Sequence, residues 1–382
     1  MSKLTLTRYL YLYDEVVLSF LTCLLEKTSL DECNFWFSEI YFSGFKDQAW
    51  ALLMFVYFDF YFIYNVDFIS FLDKKYQEQD LKSALTIIKN LYNMKSDCFV
   101  FLSRQYNSQV KKINHIYRGK KPNWLLTYPS KYHKFFRYLK NKKYHYAVSC
   151  LPEVINDELY ECFQKFFEIP NEEIEKIKKL LSETYYLNDG HKLWALVCLF
   201  VVYSDFYKDK KKVLYLGNID KTYDSLMEFN HTTVDPVYKT LVKKRPFTIH
   251  PLVSCFHLGR DDFLESNDNM NGCFFDNWIY YAYNSPLWES RINSYDVLLN
   301  ETKEKIEFQL DDELEDFHQH FGYEPDEQSK EVQIKHAPIL ENNIWKEWVE
   351  RLFFEDKENI NNNWLEYCIE EKYFDDNFRF LY

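Results

Sequence analysis

The chain has 382 residues, of which 47% are hydrophobic and 20% aromatic, and this composition excludes global disorder because it supplies a large core. The formal net charge of −13 at pH 7 weakens any long-range attraction of the whole chain to polyanions. Seven glycines and ten prolines are few for this length, and sheets joined by tight turns usually need more of them. The composition therefore favours long helices.

The nine cysteines predict free thiols rather than a disulfide framework. Their number is odd, the chain has no CxxC pair, and Cys23 and Cys198 lie inside apolar helical patterns. Arg8, Asp14 and Glu15 interrupt the first apolar run, which is unlike a secretory signal peptide. We therefore expect reduced, structural thiols and a cytoplasmic location.

The first helices are predicted over residues 6–26 and 29–42. Ser29 and Glu32 form a capping box, in which the serine hydroxyl accepts from the third amide and the glutamate reaches back. Gly44 ends the second helix, and another helix follows from Trp50. Asp80 is predicted to cap a later helix.

Residues 49–64 are almost wholly apolar and raise the question of a membrane span. A spanning helix needs about 20 apolar residues, whereas this run is shorter and contains Asp59. A similar pattern returns at residues 194–207, and the Trp-Ala-Leu starts of the two copies are 144 residues apart. Stacked helical hairpins cover such a helix on most sides. The repeat predicts a core helix in an α-solenoid-like array, with chance similarity as the alternative.

Residues 98–152 contain no Asp or Glu but twelve Lys or Arg, interleaved with aromatic residues such as Trp124. Cations neutralise phosphates and aromatic rings stack on exposed bases, which is the chemistry of a nucleic-acid groove. The alternatives are a solvated face and a surface that meets the acidic C-terminal region. The pattern predicts nucleic-acid contacts at Lys111, Lys112, Arg118, Lys120, Lys121, Lys134, Arg137, Lys140, Lys142 and Lys143.

Three regions follow from these patterns. Residues 1–212 are predicted as a mainly α helical-hairpin array, and residues 213–300 as an irregular, mostly helical domain with a short strand at 213–217. In residues 301–382, 23 Asp or Glu outnumber 9 Lys or Arg, which predicts an acidic helical C-terminal region with an exposed linker near 324–338. Trp345 and Trp348 begin an apolar helical face there, and we expect it to dock on the protein's own body.

An enzyme would use a pocket near residues 250–276. This region holds the densest group of histidines, arginine and carboxylates in the irregular domain. Such a group can support acid–base chemistry, although a salt-bridged loop explains these residues equally well. The chain has no P-loop, GxSxG, GxGxxG or HExxH motif, and we predict no catalytic residue. The polar residues in question are His250, His257, Arg260, Asp261 and Asp262.

No metal site or cofactor is predicted. His318 and His320 are two residues apart and would point to different sides of a helix. Cys255, His257 and Cys273 supply soft ligands but have no fourth ligand at a zinc-like spacing. Buried thiols and ordinary histidines are the simpler interpretation.

The segments TRYLYLYDEVV at 7–17 and ECNFWFSEIYFSGF at 32–45 resemble uncharacterised helical proteins of nucleocytoplasmic large DNA viruses. The segment NWIYYAYNSPLW at 277–288 has the same character. These are aromatic packing motifs, and they carry over no functional residues. The resemblance implies a viral origin and replication in the host cytoplasm, and it allows packaging in the virion.

The leading functional hypothesis is a non-enzymatic helical scaffold that holds other macromolecules by protein–protein interaction, with viral proteins as the expected partners. The alternative is a nucleic-acid-binding protein that uses residues 98–152. A third hypothesis is an enzyme with its pocket near residues 250–276.

Overall fold

The structure is a computed structural model that describes residues 4–103, 121–141, 146–147, 150, 158–182, 214–234, 237–256, 258, 277–321, 323, 328–336 and 345–353. The chain is mainly α-helical, as predicted. Its described helices and strands are α1 (Tyr13–Glu26), α2 (Leu30–Phe42), α3 (Lys46–Val56), α4 (Phe68–Glu78), α5 (Leu81–Asn93), α6 (Ser130–Lys140), α7 (Glu158–Phe167), α8 (Asn171–Ser182), α9 (Asp220–His231), α10 (Thr240–Lys244), α11 (Trp278–Ala282), α12 (Pro286–Ile292), β1 (Val297–Asn300), β2 (Lys305–Phe308), α13 (Asp311–Phe321), α14 (Lys330–His336) and α15 (Trp345–Phe353).

The first helix begins at Tyr13, so the prediction of a helix from residue 6 is wrong at its start. The preceding residues form a closed turn, in which Thr7 N donates to Tyr11 O at 2.8 Å and Leu10 N donates to Thr7 O at 3.0 Å. Leu10 has a φ of 60°, in the left-handed region, and a residue in that conformation cannot continue a right-handed helix. The turn carries Arg8 into the interior of the protein.

Side-chain caps start α2 and α5 where the sequence predicts them. Ser29 Oγ accepts from Glu32 N at 3.5 Å, and Asp80 Oδ1 accepts from Ser83 N at 2.7 Å. The Glu32 carboxylate accepts from Trp36 Nε1 at 3.3 Å instead of reaching back to Ser29. Each cap satisfies an amide that has no partner inside its own helix.

The apolar stretch of residues 49–64 lies in the core. It is α-helical only as far as Val56. A π-helical turn (Tyr57–Tyr61) and a 3-10 turn (Phe62–Tyr64) follow, and most of the side chains in both turns are aromatic. Trp50 and Phe60 are both fully buried. No helix among the described residues is long and apolar enough to cross a membrane. The second copy of the pattern, at 194–207, lies outside the described residues, so the repeat and the solenoid arrangement stay predictions.

Helix α15 docks on the body of the protein, which confirms the expectation for this C-terminal face. Trp348 is fully buried, and its Nε1 donates to Thr22 Oγ1 of α1 at 2.9 Å. Its ring lies 6.2 Å from the Phe60 ring and 5.2 Å from the Phe256 ring, measured between centroids. Residues from all three predicted regions therefore share one core.

A two-stranded antiparallel sheet occurs in the region predicted to be helical. Strand β1 pairs with β2 in a register that places Val297 opposite Phe308 and Asn300 opposite Lys305. Glu304 takes the left-handed conformation in the turn, with a φ of 51°. Hairpin turns of this kind usually carry Gly or Asn at such a position, so the sequence gives no strong hairpin signal here.

Two further predictions of local structure are wrong within the described residues. Residues 214–217 form no strand, although a short strand was predicted at 213–217. The predicted linker near 324–338 contains α14, whose Val332 is buried at 3% exposure. Short helices owe most of their stability to tertiary packing, and the buried Val332 provides such a contact for α14.

Six cysteines of the described residues are buried thiols that form no disulfide: Cys23, Cys33, Cys98, Cys150, Cys162 and Cys255. This agrees with the prediction of structural thiols. Burial raises the pKa of the Cys255 thiol to about 11 and that of Cys162 to about 12, which makes both thiols poor nucleophiles at neutral pH.

Asp97 is a buried carboxyl group beside the π-helical turn, with 4% exposure. Its amide donates to Phe60 O at 2.8 Å, while its carboxylate accepts from Phe99 N at 2.7 Å and from Tyr64 Oη at 3.3 Å. Burial raises the pKa of Asp97 to about 6, although the hydrogen bonds from Phe99 and Tyr64 and the nearby Lys95 charge act in the opposite direction. The native state therefore binds this proton more tightly than the unfolded chain does.

Replacing Asp97 with Asn is expected to remove one pH-dependent part of the stability. Because the folded pKa is raised above 3.8, the wild-type protein loses stability as the pH rises between about 4 and 6. Two pKa units correspond to about 3 kcal/mol at most. Urea unfolding across this range should show the wild type losing stability relative to Asp97→Asn as the pH rises. Asp47→Asn, at an exposed acid of α3, is the control, and a wild-type–variant difference that stays constant with pH would contradict the assignment.

Candidate functional site

Four of the predicted nucleic-acid contacts lie among the described residues, namely Lys121, Lys134, Arg137 and Lys140. The last three belong to α6, and Lys121 Nζ lies 3.0 Å from Nδ1 of His133 on the same helix. The structure therefore brings these four cations to one helix. The other six, which lie outside the described residues, are Lys111, Lys112, Arg118, Lys120, Lys142 and Lys143.

Helix α6 separates an apolar face from a basic face. Phe135, Phe136 and Leu139 are buried, and the Phe136 ring packs 5.7 Å from the Phe163 ring of α7. Lys134, Arg137 and Lys140 recur at every third position, outside this buried stripe, and Lys140 is exposed. The aromatic contact with α7 fixes which side of the helix presents the cations.

Of the five polar residues named for the predicted catalytic pocket, only His250 lies among the described residues, and it has a structural role. It is buried, its amide donates to Ser19 Oγ at 3.0 Å, and its Nδ1 accepts from Leu252 N at 3.2 Å. Its Nε2 lies 2.9 Å from Glu26 Oε2. Nδ1 therefore caps the 3-10 turn Pro251–Cys255, while Nε2 and the His250 amide hold the turn against α1. The remaining residues of that pocket lie outside the described residues: His257, Arg260, Asp261 and Asp262.

Two of the histidines considered as metal ligands, His318 and His320, lie on α13. His320 Nδ1 is 3.6 Å from Asp316 Oδ2, one helical turn away. Within the described part of the chain, no group of three or more His, Cys, Asp or Glu side chains could hold a metal ion. His257 and Cys273 lie outside that part.

The turn before α1 buries an ion pair that joins three elements. Arg8 Nε donates to Glu39 Oε2 of α2 at 2.7 Å, and Arg8 Nη1 donates to Asn230 Oδ1 of α9 at 2.6 Å. The second Glu39 oxygen accepts from Tyr9 N at 3.0 Å. Arg8 is 5% exposed and Glu39 is fully buried. Charges at this depth are tolerated only when they are paired and hydrogen-bonded.

Aromatic rings line the surroundings of this ion pair. Cations attract the negative face of an aromatic ring, and the attraction grows when water is excluded. The distances from cation to ring centroid are 4.6 Å for Arg8 on Tyr9, 4.4 Å for Lys244 on Phe229, 4.0 Å for Arg245 on Tyr11 and 4.7 Å for Arg291 on Trp288.

A groove of about 240 Å³ opens between the first turns of α2, helix α9 and the segment at residues 246–247. Three phenyl rings stand together in it, with the Phe35 ring 5.2 Å from Phe247 and 6.3 Å from Phe229. We call it the α2–α9 groove. The residues that line it are Asp31, Asn34, Phe35, Thr222, Ser225, Leu226, Phe229, Pro246 and Phe247.

Asn34 gives the α2–α9 groove a polar preference. It is 2% exposed, and its Oδ1 has no hydrogen-bond partner among the described residues. Asn34 thus places a polar side chain beside the rings, although this oxygen itself has almost no accessible surface. Asp31 adds an exposed carboxylate in the first turn of α2. The groove therefore suits a cationic, N–H-donating group with an apolar stem.

The sequence interpretation missed both the groove and the ion pair. Arg8 lies in a run of aromatic and aliphatic residues, and Glu39 lies in the apolar second half of α2. A charged residue in such a setting is a signal, because charges are almost never fully buried unless they are paired. The sequence does not show which residue pairs with Arg8, since Glu39 lies 31 positions away along the chain.

Replacing Glu39 with Gln is expected to lower the free energy of unfolding by about 3 kcal/mol or more, because the Arg8 charge then stays buried without a counter-charge. Urea unfolding followed by tryptophan fluorescence measures this change. Glu228→Gln makes the same change at an exposed position of α9 and should leave the midpoint unaltered. If Glu39→Gln lowers the free energy of unfolding no more than Glu228→Gln does, the ion pair does not hold the turn before α1.

No protein-family model matches the chain, and comparisons with curated proteins and with solved structures found no significant match. The arrangement of the α2–α9 groove and of the basic face of α6 is thus the basis for assigning a function.

Proposed function

We propose that this chain is a non-enzymatic α-helical scaffold that binds a protein partner through the α2–α9 groove. The occupant is an arginine or lysine side chain of that partner. The observation that carries the proposal is a groove formed by three phenyl rings and lined by the exposed carboxylate residue Asp31.

The size of the groove supports a side chain as the occupant. Sites for drug-sized ligands usually enclose about 300–1,000 Å³, and this groove has about 240 Å³. Arginine is also among the residues that most often dominate protein–protein interfaces. A single long side chain that anchors a larger interface fits these dimensions.

The charges support a basic partner. Asp31 is exposed in the groove, and the chain as a whole carries a formal net charge of −13. Electrostatic complementarity of this kind raises the rate of encounter and disfavours acidic competitors. The expected viral origin would make a viral protein the partner, and the buried free thiols support a reducing, cytoplasmic compartment.

Filling the α2–α9 groove is expected to weaken partner binding without unfolding the protein. Peptides selected from a random displayed library on the wild-type protein should be enriched in Arg or Lys. Ser225→Phe places a ring at an exposed groove position, and it should weaken binding of these peptides at least about tenfold, the loss of one anchoring contact. Fluorescence anisotropy with labelled peptides measures the dissociation constants.

Ser182→Phe makes the same change at an exposed serine of α8 and should leave the affinity unaltered. Asp31→Asn should weaken the binding and reduce its salt dependence, whereas Asp47→Asn should do neither. Selected peptides that lack Arg and Lys, or that bind Ser225→Phe as tightly as the wild type, would refute the groove as the docking site.

A second candidate function is nucleic-acid binding by the basic face of α6. The observation that favours it is the regular recurrence of Lys134, Arg137 and Lys140 outside the buried stripe of that helix. A row of cations about one helical turn apart can follow a phosphate backbone.

Titration with labelled single-stranded and duplex nucleic acid at several salt concentrations tests this second function. If the face binds single strands, the salt exponent of the triple variant Lys134→Gln, Arg137→Gln, Lys140→Gln should fall by about 2. The triple variant Lys74→Gln, Lys221→Gln, Lys305→Gln removes the same charge elsewhere and should keep the wild-type exponent. Absence of binding at low salt would exclude this function.

A further inference from the structure

The three phenyl rings of the α2–α9 groove stand at steep angles to one another. The plane of the Phe35 ring makes an angle of 56° with that of Phe247 and 78° with that of Phe229. Phe35 is 3% exposed, whereas Phe229 and Phe247 are half-buried. A nearly buried ring with two partly exposed rings beside it forms a concave aromatic site rather than one flat stack.

An aromatic site of this kind attracts cations through the negative faces of its rings. The Phe229 ring already holds one cation of the protein, because Lys244 Nζ lies 4.4 Å from its centroid. Lys244 is buried and is not among the residues that line the groove. Its charge acts alike on every cationic occupant, so it does not decide between one form of a lysine side chain and another.

The groove offers few hydrogen-bond acceptors to a cation. Five of its nine lining residues are Phe, Leu or Pro, whose side chains accept no hydrogen bond, and Asn34 Oδ1 has almost no accessible surface. The remaining side-chain acceptors are the carboxylate of Asp31 and the hydroxyls of Thr222 and Ser225. An unmodified lysine ammonium is strongly hydrated and carries three N–H donors, so placing it against the rings leaves donors without partners.

We propose that the α2–α9 groove recognises a dimethylated lysine of the protein partner. This inference rests on the proposed function and names the chemical form of the side chain that the groove binds. Methylation keeps the positive charge of the ammonium and replaces two of its N–H donors by methyl groups, which pack against the phenyl rings. The one remaining N–H donates to the carboxylate of Asp31, an acceptor that carries the opposite charge.

Synthetic peptides in four forms test this specificity. Each peptide of a bead library has randomised flanks around a fixed central residue, which is lysine, dimethyllysine, trimethyllysine or a neutral analogue with an isopropyl group in place of the dimethylammonium group. Labelled protein identifies the peptide that binds most tightly, and fluorescence anisotropy then compares its four forms. The dimethyl form should bind at least about tenfold more tightly than the lysine form and the neutral analogue. It should also bind more tightly than the trimethyl form, which has no N–H for Asp31.

Variants of two groove residues assign the specificity to the site. Phe247→Leu keeps an apolar side chain but removes one ring, and it should reduce the preference for the dimethyl form over the neutral analogue about two- to fivefold. Phe71→Leu makes the same change at a half-buried phenylalanine of α4 and should keep the wild-type preference. Asp31→Asn changes an exposed residue and should remove the advantage of the dimethyl form over the trimethyl form.

The outcomes separate this inference from the proposed function. If the lysine form binds as tightly as the dimethyl form, the specificity for dimethyllysine is overturned, while docking of an unmodified basic side chain stands. A trimethyl form that binds as tightly as the dimethyl form would overturn the contact with Asp31 and with it the inference. If no form binds, or if the neutral analogue matches the dimethyl form, the inference and the groove as a site for basic side chains both fail. If Phe247→Leu does not fold, Asp31→Asn decides, since that residue is exposed.

Discussion

The guanidinium of Arg8 and the carboxylate of Glu39 are buried together, 2.7 Å apart, where three separate parts of the chain meet. Neither charge could be buried alone, because removing an ion from water is costly unless a partner compensates it. The turn before α1, helix α2 and helix α9 must therefore come together as one arrangement. The same turn anchors the later chain, since Trp288 Nε1 donates to Thr7 O at 3.0 Å. Local geometry at one turn thus fixes contacts among segments that are far apart in the sequence.

Helix α9 contacts both the α2–α9 groove and the buried ion pair. Phe229 lines the α2–α9 groove and also lies against Lys244, while its neighbour Asn230 accepts from Arg8. No residue of α9 is fully buried, so the helix is held by one-sided contacts. Such an element moves more easily than the core beneath it. An occupant of the groove would therefore act on the same helix that accepts from Arg8.

The overall charge of the chain conceals a local separation of charge. The chain carries a formal net charge of −13, yet the cations of Arg8 and Lys244 are both buried and α6 carries three cations outside its buried stripe. The acidic balance therefore describes the mean field at long range and not the chemistry of a particular surface. A partner that comes close meets the local groups, because screening limits the reach of the net charge to about 10 Å at ordinary salt.

The sequence by itself determined the features that depend on neighbouring residues. Helical periodicity and composition established the mainly α-helical class, capping side chains marked the starts of α2 and α5, and the length of the apolar stretch at 49–64 identified a core element. Tertiary structure alone decided where α1 begins, which partner Arg8 has, that His250 holds a turn, and that Phe35, Phe229 and Phe247 form a groove. The physical reason is distance along the chain. Arg8 bonds to residues 31 and 222 positions away, and no local propensity encodes which distant group will compensate a buried charge.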